Sequence, residues 1–290
     1  MRRLFIVLSI CLAVIAAGCS RSEDKPSAEA AESRIVSTTV AITEILDALE
    51  VDEVVGKPTS YKELPKRYMD VVETGNPMNP DLEIIASLNP TDILSVTTLE
   101  YDLKAVFDEA GLPADYLDFT SLSSMQDEIT ELGQKYDRTE QAAALNNQFK
   151  EKIDEIEAKT ADKDKPKVLI LLGVPGSYLV ATDKSYIGDL VSRVGGENVV
   201  QGENVEYLAS NTEYLQQSNP DVILRAAHGM PKEVVDMFDD EFKTNDIWKH
   251  FSAVQNNRVY DLEETLFGTT GNLAADEALD ELYTMLYEEK

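Results

Sequence analysis

The sequence predicts an α/β protein of two Rossmann-like lobes joined by one long, rigid helix, and three observations lead there. Short β-branched runs alternate with segments of helical periodicity, the pattern of parallel βα units. The alternation breaks once, over 139–160, where a highly charged, helix-forming stretch carries neither Gly nor Pro. It then restarts, and a segment of the first half is echoed in the second. At 290 residues the chain is long enough for a core in each lobe.

The first 18 residues read as an address rather than as part of the fold. Arg2 and Arg3 precede a 14-residue apolar run, 4–17, short of the roughly 20 residues that a bilayer-spanning helix needs. The run closes on Ala16-Ala17-Gly18-Cys19 and resembles a bacterial lipoprotein signal, which implies lipidation of the Cys19 thiol and cleavage before it. An ordinary signal peptide with an incidental cysteine, or an N-terminal anchor helix, is the alternative. Cys11 lies in the part that would be removed, so the mature body would have no thiol for a disulfide or a metal site. Residues 19–33 hold almost no hydrophobic side chain and read as a disordered tether.

The N-terminal lobe is expected over 34–138, the linking helix over 139–165 and the C-terminal lobe over 166–290. The β-branched run 34–39 leads into a helix over 40–49, in which Ile42, Ile45, Leu46 and Leu49 fall at i, i+3, i+4 and i+7. Further strands are expected at 53–56, 92–96 and 114–118. After the linking helix, a polar stop at 162–166 precedes strands at 167–173, 177–182, 221–226 and 258–262. The echo pairs 81–94 with 211–224: a Glu (Glu83, Glu213) begins a short helix, Asn-Pro follows six residues later, and a buried strand comes next. Proline disfavours helical geometry in the residue before it, which ends each helix there. Two such units fit a pseudo-symmetric pair of lobes, although the same pattern is also ordinary α/β grammar.

Composition narrows the function. Lys and Arg number 26 against 54 Asp and Glu, a formal net charge of -28, which excludes nucleic acid as a partner because phosphates need a basic face. With 2 histidines, a site of three imidazoles is impossible and a zinc or manganese binder is disfavoured. No Gly-x-Ser-x-Gly elbow, Gly-x-x-x-x-Gly-Lys phosphate loop or His-Glu-x-x-His is present, which argues against an enzyme. A carboxylate-only hydrolase stays open as a class, but nothing in the sequence places two acids together. The negative charge is better read as a solvated surface.

The signal, the two lobes, the linking helix and the closing segment 248–260, which begins Trp248-Lys249-His250-Phe251, together resemble the substrate-binding proteins of iron, siderophore and cobalamin ABC importers. The class III periplasmic-binding-protein architecture has this layout. Within that class, Gly75-Asn76-Pro77-Met78-Asn79-Pro80-Asp81 and Arg225-Ala226-Ala227-His228-Gly229-Met230-Pro231 are similar to the heme-binding lipoproteins of iron-regulated surface determinant systems. The resemblance covers essentially the whole chain. It implies a non-enzymatic, monomeric receptor on the outer face of a Gram-positive cell membrane, lipid-anchored through Cys19. Such a receptor takes heme b from a cell-surface donor protein and delivers it to an ABC permease. A siderophore or cobalamin binder on the same scaffold is the runner-up.

Met with His is a recognised axial pair for heme iron and leaves no open coordination position. Met78 sits between Pro77 and Pro80, which restrict its loop. His228 lies at the carboxyl end of the 221–226 strand, where open α/β sheets present ligands to a crevice. Taken singly, Met78 reads as a loop methionine that packs, and His228 as a satisfied histidine. Together, in matching positions of two lobes, they read as ligands, with Met230 a rival beside His228 and His250 structural. The resemblance puts the propionates near two segments. One is Val40 and Ala41, at a helix start whose free N–H groups attract anions. The other is Ser60, Tyr61 and Lys62, which supplies hydroxyls and a cation. Tyr178 is a candidate for stacking on the porphyrin. Glu83 and Glu213 match lobe-tip glutamates that meet permease arginines in this class, where a carboxylate forms charge-assisted bonds to a basic face.

Overall fold

The first lobe grows from strands too apolar to remain in water. β1 (Ile35–Ser37) is wholly buried and feeds α1 (Val40–Ala48) through Thr39, whose Oγ1 accepts from Ile42 N at 3.3 Å and caps the helix. β2 (Val54–Lys57) and β3 (Val72–Glu73) follow, then a tight hairpin of β4 (Gly75–Asn76) and β5 (Asn79–Pro80). After them come α2 (Leu82–Ser87), β6 (Asp92–Val96), α3 (Thr97–Glu109), β7 (Asp115–Leu117) and α4 (Leu122–Lys135). Five strands form one parallel sheet in the order β3-β2-β1-β6-β7. The computed structural model describes residues 33–210, 215 and 217–288. Cys19, the signal segment, the tether up to residue 32 and Glu213 lie outside these residues.

The linking helix α5 (Thr139–Thr160) spans the stretch expected from its composition. Ala142, Phe149 and Ile156, seven residues apart, form its buried stripe, and each large side chain so buried contributes roughly 1.5–3 kcal/mol. The other faces keep their charges in solvent, where Lys159 pairs with Glu155 at 2.6 Å and Lys152 reaches Asp280 at 2.7 Å.

The second lobe departs from the expected succession of parallel units. β8 (Lys167–Val174) turns through Pro175-Gly176 directly into β9 (Ser177–Ala181), so the two are antiparallel. Gly176, at φ +83, supplies the left-handed turn residue. α6 (Tyr186–Arg193), β10 (Glu197–Asn198), β11 (Tyr207–Ala209) and β12 (Val222–Ala227) follow. The chain then forms α7 (Pro231–Thr244), a 3-10 turn (Trp248–His250), α8 (Ser252–Gln255), β13 (Val259–Leu262) and α9 (Ala275–Tyr287). The sheet order is β11-β9-β8-β12-β13, with β10 beside the start of β8. β8, β12 and β13 remain parallel. The echoed Asn-Pro steps share a backbone conformation, Asn89 at φ +47 and Asn219 at φ +41, a left-handed state that asparagine tolerates well.

The lobes meet along an apolar seam as well as through α5. Phe119, Leu122 and Met125 from one side join the same buried cluster as Tyr186, Ile187 and Leu190 from the other. Hydrogen bonds cross it: Leu122 N to Asp189 Oδ2 at 2.9 Å, Arg193 Nη2 to Ser123 Oγ at 2.8 Å and Gly271 N to Phe119 O at 2.8 Å. A hinge motion would have to break these contacts, so the seam permits only modest rocking.

Candidate functional site

The candidate residues sit on loops at the rims that follow the carboxyl ends of the parallel strands. In the first lobe, Lys57 at the end of β2 is buried, and its Nζ donates to Tyr68 O at 2.8 Å and Met69 O at 2.9 Å. That anchor closes off the loop holding Ser60, Tyr61 and Lys62, whose first turn is made by Lys62 N donating to Ser60 Oγ at 2.9 Å. Val40 and Ala41 occupy the first turn of α1, where N–H groups have no carbonyl of their own helix to bond.

Met78 occupies the two-residue turn of the β4–β5 hairpin. Gly75, at φ +99, starts the hairpin, and Met78 N donates to Asn76 Oδ1 at 2.9 Å, an Asx turn that tightens it. The hairpin is tied to the neighbouring loop by Thr59 N donating to Gly75 O at 2.8 Å. The Met78 side chain is 61% exposed, so it is not a packing methionine.

His228 begins the turn between β12 and α7. Its N–H donates to Gly173 O at 2.9 Å, extending the β8–β12 ladder by one residue. Among the described residues the imidazole has no hydrogen-bond partner, unlike a satisfied core histidine. Gly229 and Met230 then both adopt positive φ, +67 and +48, before Pro231 starts α7. A left-handed methionine costs about 1–2 kcal/mol, and its side chain is 56% exposed, so Met230 shares the rim with His228. The strand beneath is rigid because Arg225 is buried and held twice. Its guanidinium bonds Asp261 bidentately at 2.7 and 2.6 Å, reaches Asp239 at 3.0 Å, and lies over the rings of Phe238 and Phe242.

One residue that motif reasoning missed joins the two lobes here. Glu264, just past β13, accepts from Tyr61 Oη at 2.7 Å through Oε2 and from Gly229 N at 3.0 Å through Oε1. A path of three hydrogen bonds therefore runs from the Met78 hairpin through Thr59, Tyr61 and Glu264 to the His228 turn. Its position past the carboxyl end of a strand was the available signal. Lys62 lies apart from that path, in a cavity of about 390 Å³ shared with Glu44, Asp47, Thr265, Asn272 and Leu273. Burial pushes the Glu44 carboxyl up, and the Lys62 charge pulls it back.

The remaining candidates sit elsewhere. Tyr178 packs edge-on to Trp248 at 6.2 Å and tilted against Phe238 at 5.9 Å, so its ring belongs to the aromatic cluster beneath α7 rather than to the rim path. His250 ends the 3-10 turn and is exposed, while Trp248 in the same turn is the buried anchor. Glu83 is exposed in the first turn of α2, where Asp81 Oδ1 caps the N–H groups of Glu83 and Ile84 at 3.1 and 3.0 Å. Among the described residues, no three His, Cys, Asp or Glu side chains converge to cage a metal ion, and no helix is long and apolar enough to cross a membrane.

The pattern of the periplasmic binding protein family matches residues 35–266. The high-affinity heme uptake system protein IsdE of Staphylococcus aureus (strain Newman) is 50% identical over 287 residues, which cover 99% of this chain and 98% of that protein. The crystal structure of S. aureus IsdE complexed with heme has a TM-score of 0.86 at 54% identity, covering 89% of this chain and 100% of that one. An ABC transporter substrate-binding protein from Listeria monocytogenes EGD-e has a TM-score of 0.85 at 64% identity, again over 89% and 100%. The chain belongs to the periplasmic binding protein family, as one of the substrate-binding proteins of ABC importers.

Proposed function

We propose that this protein is a heme receptor, anchored to the outer face of the cell membrane through a lipid on Cys19, which hands heme b to an ABC permease. Its family consists of transport binding proteins, so it is not an enzyme. The observation that carries the proposal is the rim path. An exposed Met78 on a constrained hairpin is linked by three hydrogen bonds to the turn of His228, whose imidazole has no partner among the described residues. A thioether and an imidazole offered from two lobes suit a flat metalloporphyrin, whose iron takes two axial ligands. The IsdE relative complexed with heme supports the same ligand.

In this reading Met78 and His228 hold the iron from opposite faces, and the propionates lie toward the N–H groups of Val40 and Ala41 and toward Ser60, Tyr61 and Lys62. Heme supplies the colour and the redox-active iron; the chain supplies orientation and exclusion of further ligands. The thioether is the weaker ligand and opens first when heme leaves for the permease, which docks on Glu83 and Glu213. A cell-surface protein donates the heme, and the receptor works as a monomer.

Titration of the protein from Ser20 onward with heme, a ferric hydroxamate siderophore and cobalamin tests the reading. Saturable one-to-one binding of heme, with no competition from the other two, is expected. Preferential binding of either competitor would overturn it.

A further inference from the structure

Glu264 has an unusual amount of structure behind it for a residue past the end of a strand. Leu266 N and Phe267 N both donate to Glu263 O, at 3.0 and 2.9 Å, and close a turn around it. The side chains of Leu266 and Phe267 are buried in the main core, so the turn cannot drift. From this base the carboxylate reaches two donors on different elements, Tyr61 Oη and Gly229 N. The turn it reaches is one that regular structure does not stabilise, since Gly229 and Met230 are both left-handed. Beyond the His228 N to Gly173 O bond, Gly229 N to Glu264 is the hydrogen bond that holds this turn at its start.

We propose that Glu264 is a positioning residue that clasps the turn bearing His228 and ties it to Tyr61, fixing the imidazole relative to the loop of Ser60, Tyr61 and Lys62. The proposal deepens the heme-receptor reading and rests on it. Its two charged acceptor oxygens take one donor each, and the negative charge strengthens both bonds. Glutamine can still accept from Gly229 N and donate from its amide N–H to Tyr61 Oη, but without the charge that strengthens both bonds, and is therefore the graded control.

The test compares wild type, Glu264→Ala and Glu264→Gln, each from Ser20 onward, by two readouts. In heme-free protein, amide exchange at Gly229 is followed. In heme-loaded protein, the visible spectrum and the rate of heme loss to excess apomyoglobin are recorded. For Glu264→Ala, exchange and heme loss should each rise at least about tenfold, the effect of losing one hydrogen bond to a charged group. A high-spin component should also appear as the imidazole loosens, and Glu264→Gln should fall between the two. Unchanged exchange at Gly229 in Glu264→Ala overturns the clasp. Faster exchange with an unchanged heme spectrum and loss rate overturns its positioning role while leaving the heme reading intact. Faster exchange in a protein whose wild type does not bind heme supports the clasp and refutes the heme reading.

Discussion

Replacing Gly75 by Ala perturbs the Met78 hairpin without touching Met78. Gly75 has φ +99, and a Cβ there would lie 3.0 Å from Asp81 N and 3.3 Å from Asn79 O, backbone atoms that cannot swing aside. Asp81 N is itself committed to Thr74 O at 2.7 Å, so the clash cannot be relieved without breaking that bond. The left-handed region costs an L-residue about 1–2 kcal/mol. With the close contact added, the hairpin is destabilised by roughly 2–3 kcal/mol. Among the described residues β4 and β5 pair only with each other, and a two-stranded ribbon is marginal, so the hairpin yields and the lobe does not. Gly75→Ala should therefore melt close to wild type while binding heme about 30- to 150-fold more weakly, at 1.4 kcal/mol per decade. Heme loss to apomyoglobin, measured beside a thermal melt, gives both numbers. An unchanged loss rate would refute the argument that backbone geometry aims Met78.

Other substitutions probe the scaffold and its charge. Arg225→Met removes the buried guanidinium from Asp261, Asp239 and two aromatic rings; a loss of about 2–4 kcal/mol in denaturant unfolding is expected, and a loss below about 0.5 would contradict the clamp. Gly173→Ala would put a Cβ 2.4 Å from Val234 Cγ1 and 2.6 Å from Phe238 Cε2, so overpacking should cost about 1–3 kcal/mol and shift α7; a neutral melt would contradict it. Burial, with Asp118 adding repulsion, raises the Glu206 carboxyl to about 7. The folded state then holds a proton that the unfolded state has lost, so stability from this group is full below about pH 4.5 and is lost as pH rises toward 7. Because Glu206 is only half-buried, solvent screening reduces the effect to roughly 1 kcal/mol. Glu206→Gln should accordingly gain on wild type in melts at pH 8 relative to pH 5, and a parallel pH dependence would refute the assignment.

Much of this arrangement was legible in the sequence where one local signal dominates. Ile42, Ile45 and Leu46 are all fully buried on one face of α1, as their spacing requires. The charged, helix-forming composition of 139–160, free of Gly and Pro, located α5. The antiparallel β8–β9 pair was less legible because Pro175-Gly176 reads as a loop and says nothing of which way the next strand runs. The β4–β5 hairpin was missed as structure because two-residue strands carry no periodicity, although its prolines drew attention to Met78. Among the candidate site residues, the family resemblance pointed to Tyr61, and the resemblance together with residue type and position pointed to Met78 and His228. The place of Glu264 past the carboxyl end of β13 did not by itself single it out from 54 acidic residues, since its role comes from a contact 203 positions away in the chain. The contacts of Tyr178 with Trp248 and Phe238 were likewise not legible, since an aromatic beside a glycine turn shows nothing of the rings that pack on it.

The most direct test is the visible spectrum of the heme-loaded protein compared with those of Met78→Ala and His228→Ala. Axial ligation by this pair should give a low-spin spectrum in wild type that is disturbed in both variants, more completely for His228→Ala because the thioether is the weaker ligand. A spectrum indifferent to both substitutions, or unbound heme in wild type, would contradict the assignment of these residues as the ligands.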